Sequence, residues 1–290
     1  MNKSYCIIYN PLSNCNNTEK SLNQISALLK DFSRRSVDIT TISSYPDFFN
    51  SLDGNEDLVI SGGDGTLNRF INEANPLKYG KKILYFPSGT GNDFARDITF
   101  EKSSCSKNSP CTLIEINDYL KNLPTVTVNG FTKKFLNGIG YGIDGYCSKT
   151  GEELRQKGRK NINYTQIAIK GMLFFYKATD ASVTVDGTTC EFKNVWLAPT
   201  MHGRFFGGGM MPAPEQKRGS EKLSCMIWTG KSRLQTLALF PKIFKGEHIK
   251  NSRHVKIMTG KTITVSFKRS VALQIDGEVV PDVKSYTVTI

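Results

Sequence analysis

The sequence predicts an α/β domain built on a parallel sheet over residues 1–124, followed by a mostly antiparallel β domain over 125–279. Up to about residue 100, short β-rich runs alternate with helix-patterned segments, the grammar of strands joined by crossover helices. Beyond residue 124, Asn129-Gly130, Asp186-Gly187 and Asp276-Gly277 each sit between β-branched or aromatic flanks, the strongest short-range hairpin signal. Hydrophobic residues make up 39% of the chain and charged residues 22%, which is enough apolar material for packed cores and excludes wholesale disorder.

In chain order, Cys6–Tyr9, Asp38–Ile42, Leu58–Ser61 and Ile83–Phe86 are the expected strands of the first domain. They are nearly continuous in apolar or β-branched residues, as strands buried on both faces require. Thr18–Phe32, Asp47–Leu52 and Leu67–Ala74 are the expected helices. In the first of them Leu22, Ile25, Leu28, Leu29 and Phe32 recur at three- and four-residue spacings and share one face. Ser103–Pro110 has loop composition. In the second domain Val126–Val128, Ser182–Val185, Thr262–Phe267, Val271–Ile275 and Tyr286–Ile290 read as strands, and Tyr164–Tyr176 as a helix.

The longest apolar runs, such as Met172–Tyr176, fall far short of the ~20 residues a membrane-spanning helix needs. The N-terminus has no signal-peptide pattern. Seven cysteines with no Cys-x-x-Cys pair predict free thiols, Cys105 and Cys111 included, in a reduced, cytoplasmic setting. The 38 Lys and Arg against 26 Asp and Glu give a net charge of +12. That excess is either a solvated basic surface or an attraction to polyanions, such as nucleotides or the anionic inner face of a membrane. Nucleic acid is not the expected partner: Lys149–Lys160, the densest basic stretch, lacks interleaved aromatics and matches no nucleic-acid motif. His202, His248 and His254 have no metal-ligand spacing.

The chemistry concentrates in three polar turns that follow expected strands. Ser61-Gly62-Gly63-Asp64-Gly65-Thr66-Leu67-Asn68 ends a buried-type strand and opens a helix. Its glycines free the backbone for close approach of a ligand, and the helix N-terminus suits a phosphate. Asp64 in such a loop would repel phosphate unless a divalent cation mediates, which suggests magnesium. Pro87-Ser88-Gly89-Thr90-Gly91-Asn92-Asp93 repeats the strand-to-glycine-loop design, and Asn10-Pro11-Leu12-Ser13-Asn14 is the third turn. In a parallel sheet all three share the edge at the strand C-termini, where ligands bind.

In this order and spacing, Asn-Pro-x-Ser, Gly-Gly-Asp-Gly-Thr-Leu-Asn and Gly-Thr-Gly-Asn-Asp-Phe-Ala resemble the diacylglycerol kinase catalytic family, which includes bacterial lipid kinases and the sphingosine kinases. NAD kinases and phosphofructokinases carry loops similar to Gly-Gly-Asp-Gly-Thr, and the Gly89–Ala95 stretch favours the lipid branch. Phe135–Gly140, Phe206–Met210 before Pro212, and Gln274-Ile275-Asp276-Gly277-Glu278 continue the resemblance. It implies an NAD-kinase-like parallel α/β domain, a β-sandwich-like second domain, ATP in the cleft between them, and a C-terminal segment, about 280–290, that returns to the first domain. It also implies ATP contacts from Asn10, Pro11, Ser13, Asn14, Ser43, Gly62, Gly63, Asp64, Gly65, Thr66, Leu67, Asn68, Arg69, Gly89, Thr90 and Asn92. Asp64 would act on the phosphates through Mg²⁺, with Asp93 supporting the metal, and Glu278 stands at the position of the general base.

The chain departs from the family at Asn14, where Gly is frequent, and at Cys15, where a basic residue is frequent. Where the family carries an Asp-Gly pair for a structural Mg²⁺, the sequence reads Lys217-Arg218-Gly219-Ser220-Glu221-Lys222-Leu223, and the acidic ligand near Ser220 is missing. The expected activity is ATP- and Mg²⁺-dependent phosphorylation of a membrane lipid of the diacylglycerol type, by a cytoplasmic protein peripheral at the inner membrane face. A soluble small-molecule kinase of the NAD kinase kind and a nucleotide-binding, non-catalytic lipid sensor are the rival readings. The lipid's identity and a homodimer stay open.

Overall fold

A computed structural model describes residues 3–11, 18–102, 112–159 and 162–290. The chain divides into two compact units, Met1–Leu123 and Pro124–Ile290. The first contains β1 (Ser4–Tyr9), α1 (Thr18–Leu28), β2 (Ser33–Asp38), α2 (Tyr45–Asn50), β3 (Glu56–Gly62), α3 (Asp64–Ala74), β4 (Ile83–Pro87), α4 (Asp93–Lys102), β5 (Ile114–Glu115) and α5 (Asn117–Leu120). Among the described residues the strands form a sheet in the order β2-β1-β3-β4-β5. The first four run parallel, and β5 is antiparallel to β4. Leu58, Val59, Ile60, Ile83, Tyr85 and Phe86 are buried, as central strands covered on both faces must be.

One strand differs from expectation. The run Ile39-Thr40-Thr41 is not a strand but a 3₁₀ turn, held by Asp38, whose carboxylate accepts from the Thr40 N–H at 2.8 Å. The edge strand lies just before it, over Ser33–Asp38, where every side chain is exposed or half-exposed. Capping by Asp38 outweighs the β propensity of the branched residues.

The second unit contains β6 (Thr125–Val128), β7 (Phe131–Lys134), β8 (Gly138–Tyr141), α6 (Ile143–Gln156), α7 (Tyr164–Lys170), β9 (Thr179–Val185), β10 (Thr188–Leu197), β11 (Thr200–Met201), β12 (Leu223–Thr229), α8 (Arg233–Leu239), β13 (Val255–Gly260), β14 (Thr262–Ile275) and β15 (Glu278–Thr289). Every described pairing is antiparallel, in the order β7-β6-β15-β14-β8-β11-β12-β10-β9. All three Asn/Asp-Gly pairs make hairpins, with both residues at positive φ: 47° and 83°, 47° and 86°, 46° and 95°. The two expected strands 262–267 and 271–275 are one long β14, interrupted by a register shift between Ser266 and Val271. Before the shift β14 pairs with β9, and after it with β8, so the sheet closes on itself. The enclosed core includes Tyr141, Trp196, Trp228, Phe267 and Tyr286.

Residues 280–290, which the resemblance sends back to the first domain, instead belong to the second sheet: β15 lies between β14 and β6, with Tyr286 opposite Val128 and Thr289 opposite Thr125. Main-chain pairing along both edges holds that strand. No helix among the described residues is long and apolar enough to cross a membrane.

Candidate active site

In the first unit, parallel strands deliver their following turns to one edge of the sheet. Asn10 leaves β1, and its Nδ2 donates to Thr66 Oγ1 at 3.1 Å in the first turn of α3. Gly63 precedes α3, and Asp64 is its first residue. The Asp64 carboxylate accepts from the N–H of Asp93 and of Phe94, both at 2.9 Å, so it caps α4 from the neighbouring loop. Asn92, at φ 51°, braces the second loop: its amide accepts from Gly89 N and donates to Gly89 O, at 3.0 and 2.7 Å.

The two loops touch backbone to backbone. A Cβ on Gly89 would lie 2.4 Å from Gly63 Cα, so a side chain there would force the loops apart. Ser88 N donates to Gly62 O at 3.0 Å. Tyr85 OH donates to Gly62 O at 3.0 Å. Burial first, and then the Asp64 and Asp93 carboxylates, hold the Tyr85 phenol protonated well beyond its usual range.

The structure thus joins Asn10, Gly62, Gly63, Asp64, Thr66, Gly89, Asn92 and Asp93 into one network. Pro11 follows Asn10 directly, and Gly65 faces open space. Leu67 and Asn68 are buried on α3, and Asn72 Nδ2 donates to Asn68 Oδ1 at 3.2 Å. Arg69 pairs with Glu73 one turn on, at 2.7 Å. Ser43 and Thr90 are exposed in turns after β2 and β4. Ser13 and Asn14, with Cys15, lie outside the described residues, as do Cys105 and Cys111.

Among the described residues no cluster of three or more His, Cys, Asp or Glu could hold a metal. The oxygen donors fit a magnesium ion of another kind, one carried with nucleotide phosphates and anchored by one or two carboxylates. Asp64 is half-exposed at the loop. Asp93 is buried and lies 3.7 Å from the Arg96 guanidinium.

In the second unit Glu278 opens β15 beside the Asp276-Gly277 turn. The turn is heavily supported. The Asp276 carboxylate accepts from the N–H groups of Leu136, Asn137 and Gly138. Gly277 N donates to Gln274 Oε1, and Gln274 Nε2 donates to Asp144 Oδ2 at 2.9 Å. Burial pushes the Asp144 carboxyl up to about 6, against the Gln274 hydrogen bond. Lys133 Nζ sits 2.5 Å from Glu278 Oε2. Nothing in the sequence pattern marks Lys133 or Asp144, because each meets the turn across more than a hundred residues of chain.

The segment Lys217–Leu223 does not fit a divalent cation. Arg218 is buried, and its guanidinium donates to Leu136 O at 2.6 Å and Asn137 Oδ1 at 2.5 Å. His202 Nδ1 also bonds Leu136 O, at 3.0 Å. Burial and the Arg218 charge push His202 down to about 4, so the ring is neutral. A guanidinium from this segment therefore occupies the oxygens of Leu136 and Asn137, and a metal ion beside it would meet a like charge. The glycine-rich stretch is a loop with Gly207, Gly208 and Gly209 all at positive φ. Phe205 and Phe206 beside it are core residues.

Two family descriptions match this chain: "Diacylglycerol kinase catalytic domain" over residues 4–128 and "YegS C-terminal NAD kinase beta sandwich-like domain" over residues 137–289. The Diacylglycerol kinase of Bacillus subtilis (strain 168) is 25% identical over 225 residues, covering 77% of this chain and 71% of that protein. The Diacylglycerol kinase of Mycobacterium tuberculosis (strain ATCC 25618 / H37Rv) is 26% identical over 216 residues, covering 73% and 67%. The fold is that of a crystal structure of a diacylglycerol kinase from Bacillus anthracis str. Sterne, with a TM-score of 0.66 at 19% identity over 99% of this chain and 94% of that one. With its α/β unit matched by one description and its antiparallel unit by the other, the chain belongs to the diacylglycerol kinase catalytic family.

Proposed function

We propose that the protein transfers the γ-phosphate of ATP to a hydroxyl of a diacylglycerol-like membrane lipid. The observation that carries this reading is the contact of the two glycine loops at the sheet edge, locked by Asp64 across to the start of α4. Phosphoryl transfer asks the protein mainly for positioning and for electrostatic stabilisation of the phosphate. N–H groups at the start of α3 and in the Gly89–Gly91 turn would cradle phosphate oxygens, with Asn10 and Thr66 beside them. Asp64, and Asp93 behind it, would hold a magnesium ion through its waters. When bound, that ion neutralises phosphate charge.

Glu278 would accept the proton of the lipid hydroxyl as its oxygen bonds to the γ-phosphorus and the β–γ bridge breaks, releasing ADP. To do so it exchanges its Lys133 partner for the hydroxyl. The hydrogen bonds that Asp276 and Gln274 make support the backbone turn that Glu278 follows.

The test is transfer from γ-labelled ATP with Mg²⁺ to diacylglycerol, phosphatidylglycerol and sphingosine in mixed micelles, and to NAD without lipid. A labelled lipid with unlabelled NAD is the expected result. Labelled NAD would replace this reading with a soluble-substrate kinase. ATP binding without any labelled acceptor would replace it with a non-catalytic nucleotide binder.

A further inference from the structure

Residues 216–224 are organised by two buried polar side chains, Gln216 and Arg218. Gln216 Nε2 donates to Lys217 O at 3.0 Å and to Lys222 O at 2.9 Å, and its Oε1 accepts from Ser224 Oγ at 2.6 Å. Within that turn Ser220 N donates to Lys217 O at 3.0 Å, and Lys222 N donates to Ser220 Oγ at 3.1 Å. One amide thus gathers the carbonyls at both ends of the turn, so the chain's own groups close it.

The closed turn directs Arg218 to a distant strand entry. Its Nη1 donates to Leu136 O at 2.6 Å and its Nη2 to Asn137 Oδ1 at 2.5 Å. The N–H groups of Asn137 and Gly138 donate to the Asp276 carboxylate, at 2.8 and 3.1 Å, and the Leu136 N–H donates to it as well. The peptide unit between Leu136 and Asn137 joins the two sides. Its carbonyl faces the guanidinium, and its N–H, which points the other way in a trans peptide, faces the carboxylate. A positive and a negative group therefore sit at opposite ends of one peptide dipole and polarise it in the same sense.

The path continues to the acidic turn. Asp276 N donates back to Gly138 O at 3.2 Å, and Asp276 and Gly277 take the left-handed conformations of the hairpin that Glu278 leaves. His202 N and Gly203 N donate to Asn137 O, which fixes the same strand entry from a further side.

We propose that Arg218 is a positioning residue for Glu278: through Leu136 and Asn137 its guanidinium sets the Asp276 turn from which the Glu278 carboxylate projects. This role rests on the reading of Glu278 as the base. Where the resemblance placed a structural Mg²⁺, side chains of this chain do the holding. Lysine would be a poor substitute, because an ammonium lacks the planar fork that serves two oxygens at once.

The test is a double-variant cycle on the complete chain, using Arg218→Ala and Glu278→Gln with diacylglycerol in mixed micelles, ATP and Mg²⁺. Arg218→Ala should lower kcat by about 10-fold or more and leave the KM for ATP within about 2-fold. In the Glu278→Gln background the same change should cost no more than about 2-fold further, since both then act on one group. Arg218→Lys should follow at smaller amplitude, and it carries the cycle where the alanine variant does not fold. Amide nitrogen–proton spectra without nucleotide or lipid give a readout that needs no turnover. The Gly277 and Glu278 resonances should move in Arg218→Lys, while those of Gly63 and Asp64 in the first unit stay in place. Losses that multiply in the double variant, or Gly277 and Glu278 resonances that do not move, overturn the proposal. So does a chelator that moves the same resonances in the parent protein, since an ion would then hold the turn. Undiminished turnover by Glu278→Gln alone overturns the base reading instead, and this role with it.

Discussion

Asp64 is a structural cap to which the proposed function adds a chemical role. Its two oxygens take the first N–H groups of α4, which would otherwise be unsatisfied, and so fasten one glycine loop to the other. Asp64→Ala should lower stability by about 1–2 kcal/mol in addition to impairing ATP binding. Denaturant unfolding checks this, and an unchanged midpoint would deny the capping role. Because the loss mixes stability with chemistry, Glu278→Gln is the cleaner probe of the reaction. Arg218 makes a second residue-level case. Its buried guanidinium satisfies Leu136 O and Asn137 Oδ1, so Arg218→Ala should cost about 3 kcal/mol. The same arrangement predicts that a chelator leaves the melting temperature of the nucleotide-free protein unchanged. A fall on adding EDTA would mean that a metal ion supports the fold after all.

At the scale of elements, α6 carries its own pH dependence. Asp144, in its first turn, has a carboxyl pushed from 3.8 to about 6 by burial. The unfolded chain gives up this proton near the ordinary value, while the folded protein keeps it to about 6. This group's contribution is therefore most favourable at low pH and is lost as pH rises from about 4 to about 6. The side chain keeps an edge open to water, and that screening trims the loss to about 1–2 kcal/mol. Asp144→Asn should flatten the stability profile over that window and be the more stable protein at neutral pH; parallel profiles would refute the assignment. The element itself was not legible in the sequence. Gly145 and Gly151 interrupt its pattern, and the reason for Gly145 is tertiary: a Cβ there would lie 1.8 Å from Ala272 O of β14. The three hairpins were legible because their turns demand left-handed residues, which Asn-Gly and Asp-Gly state locally. Edge strand β2 was not, because a solvent-facing strand with Arg34 and Arg35 shows no apolar run. The glycine loops were visible as motifs, whereas the Asp64 cap and the Lys133–Glu278 pair join residues far apart in sequence and leave no local mark.

For the whole molecule, the +12 charge is unevenly spread: residues 164–178 and 231–245 contain no Asp or Glu. The parallel unit supplies the two glycine loops, and the antiparallel unit supplies the supported acidic turn. Family membership makes kinase chemistry the common thread of these parts. The central claim is that Glu278 completes that chemistry on a lipid hydroxyl. The most direct measurement is the rate of γ-phosphate transfer to diacylglycerol in mixed micelles by the wild type and by Glu278→Gln. Transfer by the wild type and a loss of about 100-fold or more in the variant, with ATP affinity retained, is the predicted result. Equal rates in the two proteins would contradict the account.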